Sequence, residues 1–124
     1  MRYLCVLGGG AVGSLLRYMA GIAIVSRWSG RFPIATLLIN VTGSFAIGVL
    51  ATLLADAANP LWRPLLITGL LGGYTTFSSF EWETFAAARG GDSAIAGLYL
   101  VGSVVLGFLA CWLGVALVGL WHRL

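Results

Sequence analysis

Asn40 is a carboxamide inside a long apolar run, one helical turn after Thr36. That spacing puts both side chains on one helix face. A primary amide carries two N–H donors, which can replace water around a small anion or tie one helix to another. Further along, Gly72-Gly73-Tyr74-Thr75-Thr76-Phe77-Ser78-Ser79-Phe80 crowds glycines, hydroxyls and aromatic rings into one short stretch. Phe77 and Phe80 lie three apart and share a face. Packing is the ordinary use of such a pair. Ring edges also carry positive potential, and edges turned into a narrow path attract an anion without trapping it.

Thr75, Thr76, Ser78 and Ser79 can each cap a helix that follows the glycines, and Ser78 with Glu81 matches a capping box. The N-terminus of that helix is electropositive and favours anions. A helix ending at the glycines frees carbonyls near Gly72 to Thr75, which suit a hard cation. Two copies meeting there would enclose one small monovalent ion. A unit positive charge about 10 Å from a passing anion contributes roughly 1–2 kcal/mol at an effective dielectric of about 20, a bias without a deep trap. Glu81 reads as a capping partner. Glu83 reads either as an interfacial carboxylate or as part of the path. Tyr99 and Ser103, four apart, make a short hydroxyl track. Arg17 stands inside an apolar run, where it either holds carbonyls or a partner or faces an aqueous vestibule.

The elements that must position these groups follow from composition. The chain of 124 residues is 60% hydrophobic and 9% charged, against about a quarter charged in soluble domains. Crossing a bilayer takes roughly 20 apolar residues per helix. Spans are expected at about Leu4–Val25, Ile34–Ala55, Arg63–Ala87 and Ser93–Trp121, in a single four-helix transmembrane domain over residues 1–124. Residues 28–33, 58–60 and 89–92 separate them. The first apolar run exceeds a signal-peptide core and lacks a small-x-small cleavage site, so it is read as part of the mature protein. The third span carries the glycine–hydroxyl interruption. Backbone groups freed by a break at membrane depth must be buried in protein or line a wet cavity, and half-helix ends there hold ions in several transporters. The fold class is therefore all-α integral membrane, with the third helix broken mid-membrane. Cys5 and Cys111 read as small core hydrophobes, and His122 lacks the companions a metal site needs. No nucleophile–base set suggests an enzyme, and nothing suggests nucleic acid as a partner.

Charge does not choose an orientation. With four spans, Arg2, Arg63 and Arg123 share one side, Arg27, Arg31 and Arg89 share the other, and Arg17 lies within a span: three against three. Orientation follows Lys/Arg bias in short loops, so a balanced chain is expected to insert both ways. Opposed copies would then pair as an isologous, antiparallel dual-topology homodimer. Small-xxx-small pairs (Gly9/Gly13, Ser44/Gly48, Gly69/Gly73, Ser103/Gly107, Ala110/Gly114) allow the helices to pack closely.

Three segments taken together resemble the CrcB/Fluc family of fluoride channels. They are the glycine-rich opening ending in Arg17-Tyr18, the stretch from Thr36 through Asn40 to Phe45, and the signature break from Gly69 to Phe80 with Glu83-Thr84 following. The resemblance covers nearly the whole chain. It implies an antiparallel dual-topology homodimer with two pores in the bacterial cell (inner) membrane, passively releasing cytoplasmic fluoride that entered as hydrogen fluoride. It further implies that Phe77 and Phe80 line the pore and that Asn40 is an amide donor. Glu83 would be a vestibule carboxylate, and Thr36, Ser79, Tyr99 and Ser103 would belong to the polar lining. The carbonyls of Gly72 and Thr75 would bind a structural, untransported sodium ion. Two departures stand out: Ser79 replaces the usual Thr, and Gly107 stands where some members carry another hydroxyl. A dual-topology, proton-coupled exporter of the small multidrug type shares the span count and charge balance. It would want an acid in the first span, which has none. A non-transporting membrane subunit would explain the glycines but not the break with its amide and rings.

Overall fold

The computed structural model describes residues 1–121 of the chain; His122 and Arg123 lie outside them. Every regular element among the described residues is helical. Helix α1 covers Arg2–Val25 and α2 covers Ile34–Leu53. Helix α3 is π-wound over Arg63–Leu71 and closes with one α-helical turn, Gly72–Tyr74. Two extended residues follow, then α4 (Phe77–Arg89) and α5 (Ser93–Trp121).

Helices α1, α2 and α5 are each long and apolar enough to cross a membrane. The remaining crossing is shared. Nine π-helical residues and one α-helical turn form its first part, and the 13 residues of α4 form its second. Neither part alone reaches the roughly 20 residues a crossing needs. The expected spans are found with small shifts at their ends: α1 begins at Arg2 and α2 stops at Leu53.

Helix α1 packs on α3, while α2 packs on α5, which also takes α4. Glycine sets both main seams. A Cβ on Gly13 would strike the Leu70 carbonyl, and one on Gly73 would meet the Gly10 carbonyl at 2.6 Å. Across the second seam, a Cβ on Gly48 would strike the Cys111 carbonyl, and one on Gly114 the Phe45 carbonyl. Backbones in such contact gain dispersion that lipid cannot match. Helix α4 ends in a Schellman turn. Asp92 N–H donates to the Ala87 carbonyl (3.0 Å), Gly91 N–H to that of Ala88 (3.2 Å), and Gly91 takes φ +91°. The core is small, with Leu37, Phe80 and Tyr99 at its centre and Phe32, Ile34 and Val41 around them. Large apolar side chains cover much of the outer surface, as lipid-facing helices require.

Candidate functional site

The interruption falls at Thr75 and Thr76, both extended (ψ 162° and 124°). Each backbone polar group of these two residues has a partner within the protein. Thr75 N–H donates to the Leu71 carbonyl at 2.9 Å. The Thr75 carbonyl accepts from Arg17 Nη1 at 3.1 Å. Asn40 grips Thr76 from both sides: its Nδ2 donates to the Thr76 carbonyl (2.8 Å) and its Oδ1 accepts from Thr76 N–H (2.9 Å). An unpaired buried amide costs about 1–3 kcal/mol, so these contacts make a broken span tolerable in lipid. Of the four candidate caps, Thr76 serves, its Oγ1 accepting from Ser79 N–H at 3.3 Å. The capping box expected at Ser78 does not form. Helix α4 already starts at Phe77, which places Ser78 inside the helix.

A second polar cluster lies on the α2–α4–α5 side. Glu83 accepts from Thr36 Oγ1 through Oε1 (2.8 Å) and from the Tyr99 hydroxyl through Oε2 (2.6 Å). Three residues nominated separately from the sequence thus share one carboxylate, a charge-assisted arrangement stronger than neutral pairs. Tyr99 is fully buried. The ring of Phe80 meets it edge-on at 5.2 Å between centroids, and Phe32 does so at 5.6 Å. Phe77 and Phe80 adjoin at 5.8 Å but differ in setting: Phe80 is 5% exposed and Phe77 is 73% exposed. One turn beyond Tyr99, the buried Ser103 Oγ has no hydrogen-bond partner among the described residues.

Two clefts flank the break, and Thr76 lines both. The larger, about 590 Å³, holds Arg17, Thr36, Ser79 and Glu83. The smaller, about 320 Å³, holds Asn40, Ser44, Gly72, Thr75 and Phe77. Arg17 thus binds a carbonyl, one of the two readings of it, and also lines the larger, mainly apolar cleft. At Gly72 the chain frees an acceptor, because the Thr76 N–H that a continuous helix would give to the Gly72 carbonyl goes to Asn40 instead.

Sequence reasoning missed three features here. The π winding of α3 leaves no trace in an apolar pattern. The grip of Asn40 on Thr76 joins residues 36 positions apart. The Tyr74 hydroxyl meets Thr42 Oγ1 at 3.0 Å, a further tie from α3 to α2. Only the last had a signal, a phenol next to the interruption.

Fold and site together define a multi-pass helical membrane protein whose third crossing is interrupted and held open by an amide. The sequence model of the CrcB-like family, described as CrcB-like protein, Camphor Resistance (CrcB), matches residues 4–115. The chain belongs to this family. A protein of Solibacter usitatus is 53% identical over 119 residues, covering 94% of this chain and 98% of its own length. One of Acidobacterium capsulatum is 50% identical over 117 residues, covering 92% and 93%. A third, of Thermus thermophilus, is 46% identical over 119 residues, covering 95% and 94%. Each of these relatives is named fluoride-specific ion channel FluC, an ion channel and not an enzyme.

Proposed function

We propose that this chain is a fluoride-selective channel that lets cytoplasmic fluoride leave a bacterial cell passively across the inner membrane. It performs no bond chemistry and is not an enzyme. The relatives' shared name supports the ion. The observation that carries the reading is the Asn40 carboxamide at the break. One N–H and its oxygen hold Thr76, and the amide's second N–H remains as a donor beside Phe77, Thr75 and Ser44 in the smaller cleft. Fluoride gives up water only for strong donors and leaves again only if no full charge grips it. A neutral amide, hydroxyls and ring edges meet both needs. In this reading Asn40, Phe77, Phe80, Thr36, Ser79, Glu83, Tyr99 and Ser103 line the route, and Arg17 draws anions into the larger cleft.

The working unit is an antiparallel, dual-topology homodimer with two pores. Phe77, 73% exposed in one protomer, then comes to lie against a second copy. Neutral carbonyl oxygens fit a hard monovalent cation, and the Gly72 carbonyl is freed for one. The Thr75 carbonyl keeps a second lone pair beyond the one used by Arg17. Gly72 and Thr75 from both copies would hold a structural sodium ion, whose charge would supply a fixed positive potential at the centre of the dimer. The multidrug-type exporter is not favoured, because α1 carries Arg17 and no carboxylate.

Purified protein in liposomes is expected to release fluoride when a potassium ionophore balances charge, and to retain chloride. Well-folded protein that releases no fluoride would remove this reading.

A further inference from the structure

Helices α2 and α5 run parallel, and their polar positions form rungs. On α2, Thr36, Asn40 and Ser44 recur every fourth residue; on α5, Tyr99, Ser103 and Gly107 do the same. The first rung is closed by Glu83, which accepts from both Thr36 and Tyr99. The third is fixed by a close approach, since a Cβ built on Gly107 would lie 3.4 Å from Ser44 Oγ. The middle rung lies between them and brings Asn40 level with Ser103, whose buried hydroxyl has no partner among the described residues. Successive rungs are about 6 Å apart along each helix, four residues at 1.5 Å each.

The α5 series of hydroxyls stops at Gly107. Across the seam, the Ser44 hydroxyl stands against the space that a side chain at 107 would use. Ser44 also lines the cleft shared by Asn40, Thr76 and Phe77. Resting on the channel reading above, we propose that Ser44 is the donor that receives the anion one turn beyond Ser103, so that the hydroxyl route crosses from α5 to α2 where glycine interrupts it. A hydroxyl suits this place because it donates one hydrogen bond and carries no charge, so the ion is passed on and not held. Glycine at 107 matters equally, because a larger residue would crowd Ser44. The rival fate for Ser44 is the back-bond to a carbonyl four residues earlier that Thr42 and Thr52 make on the same helix. That bond would leave Ser44 without a role in transport.

The experiment is fluoride efflux from liposomes containing the parent, Ser44→Ala, and Ser44→Ala with Gly107→Ser, each checked for unchanged melting in detergent. Ser44→Ala is expected to slow efflux by about tenfold or more, the effect of removing one hydrogen bond to an anion. Gly107→Ser in that background is expected to restore efflux toward the parent rate by returning a hydroxyl from the α5 side. Parent-like efflux from Ser44→Ala would overturn the assignment of Ser44 while leaving the channel reading intact. Loss without recovery in the double variant would also overturn it, since the defect would then be one of packing. A silent parent would take both readings down.

Discussion

Asn40 divides one carboxamide between two tasks. Its oxygen and one N–H hold the extended backbone at Thr76, and its second N–H is proposed to meet the ion. Asn40→Ala removes both at once. It should lower stability by about 2–4 kcal/mol, because two backbone groups lose their partner, and it should abolish fluoride efflux. Thermal melting in detergent and liposome efflux read the two losses separately; an unchanged melt would mean that the grip on Thr76 is dispensable. Phe80→Ile should stop efflux while the protein still folds, because the ring edge is lost but most of the apolar volume between Leu37 and Tyr99 is kept. Efflux at the parent rate would make the ring a packing element only. Asn40, Glu83, Tyr99 and Arg17 stood out in the sequence as polar groups within or beside apolar runs, and the structure gives each a hydrogen-bond partner. Common types were harder to rank. Four neighbouring hydroxyls could cap α4, and only the observed start of the helix picks out Thr76 over Ser78.

At the scale of elements, the interrupted crossing depends on close seams that hold α3 against α1 while the chain reverses no direction. Gly13→Ala pushes a methyl into the Leu70 carbonyl and should separate the helices. Overpacking of this kind costs about 1–3 kcal/mol. Gly97→Ala is the control, since nothing lies within 4 Å of the added carbon and alanine is the better helix former. The melting temperature should fall for the first and hold or rise for the second; equal falls would contradict the seam. Spans, turns and the break were readable because apolar runs, Pro33, Asn59-Pro60 and the glycine pairs punctuate the sequence. The π winding over Arg63–Leu71 was not. Its apolar content is the same as that of an α-helix, so the sequence pattern does not separate the two windings.

For the whole molecule, the balanced arginine count and the exposure of Phe77 motivate the proposed dimer. In the sequence count, three arginines fall on each side of the four expected spans, which gives the orientation rule no majority, and Phe77 is 73% exposed. Which surfaces meet could not be read from the chain, because lipid-facing and partner-facing helix faces are equally apolar. Two opposed copies are proposed to build the anion route around their interrupted third crossings. The most direct test is fluoride efflux from liposomes holding two charge-biased forms, Ser29→Arg with Arg63→Gln and Ala58→Arg with Arg27→Gln, each alone and then mixed. Each form alone should be silent and the mixture should conduct. Full conduction by either form alone, or silence from a well-folded mixture, would contradict the account.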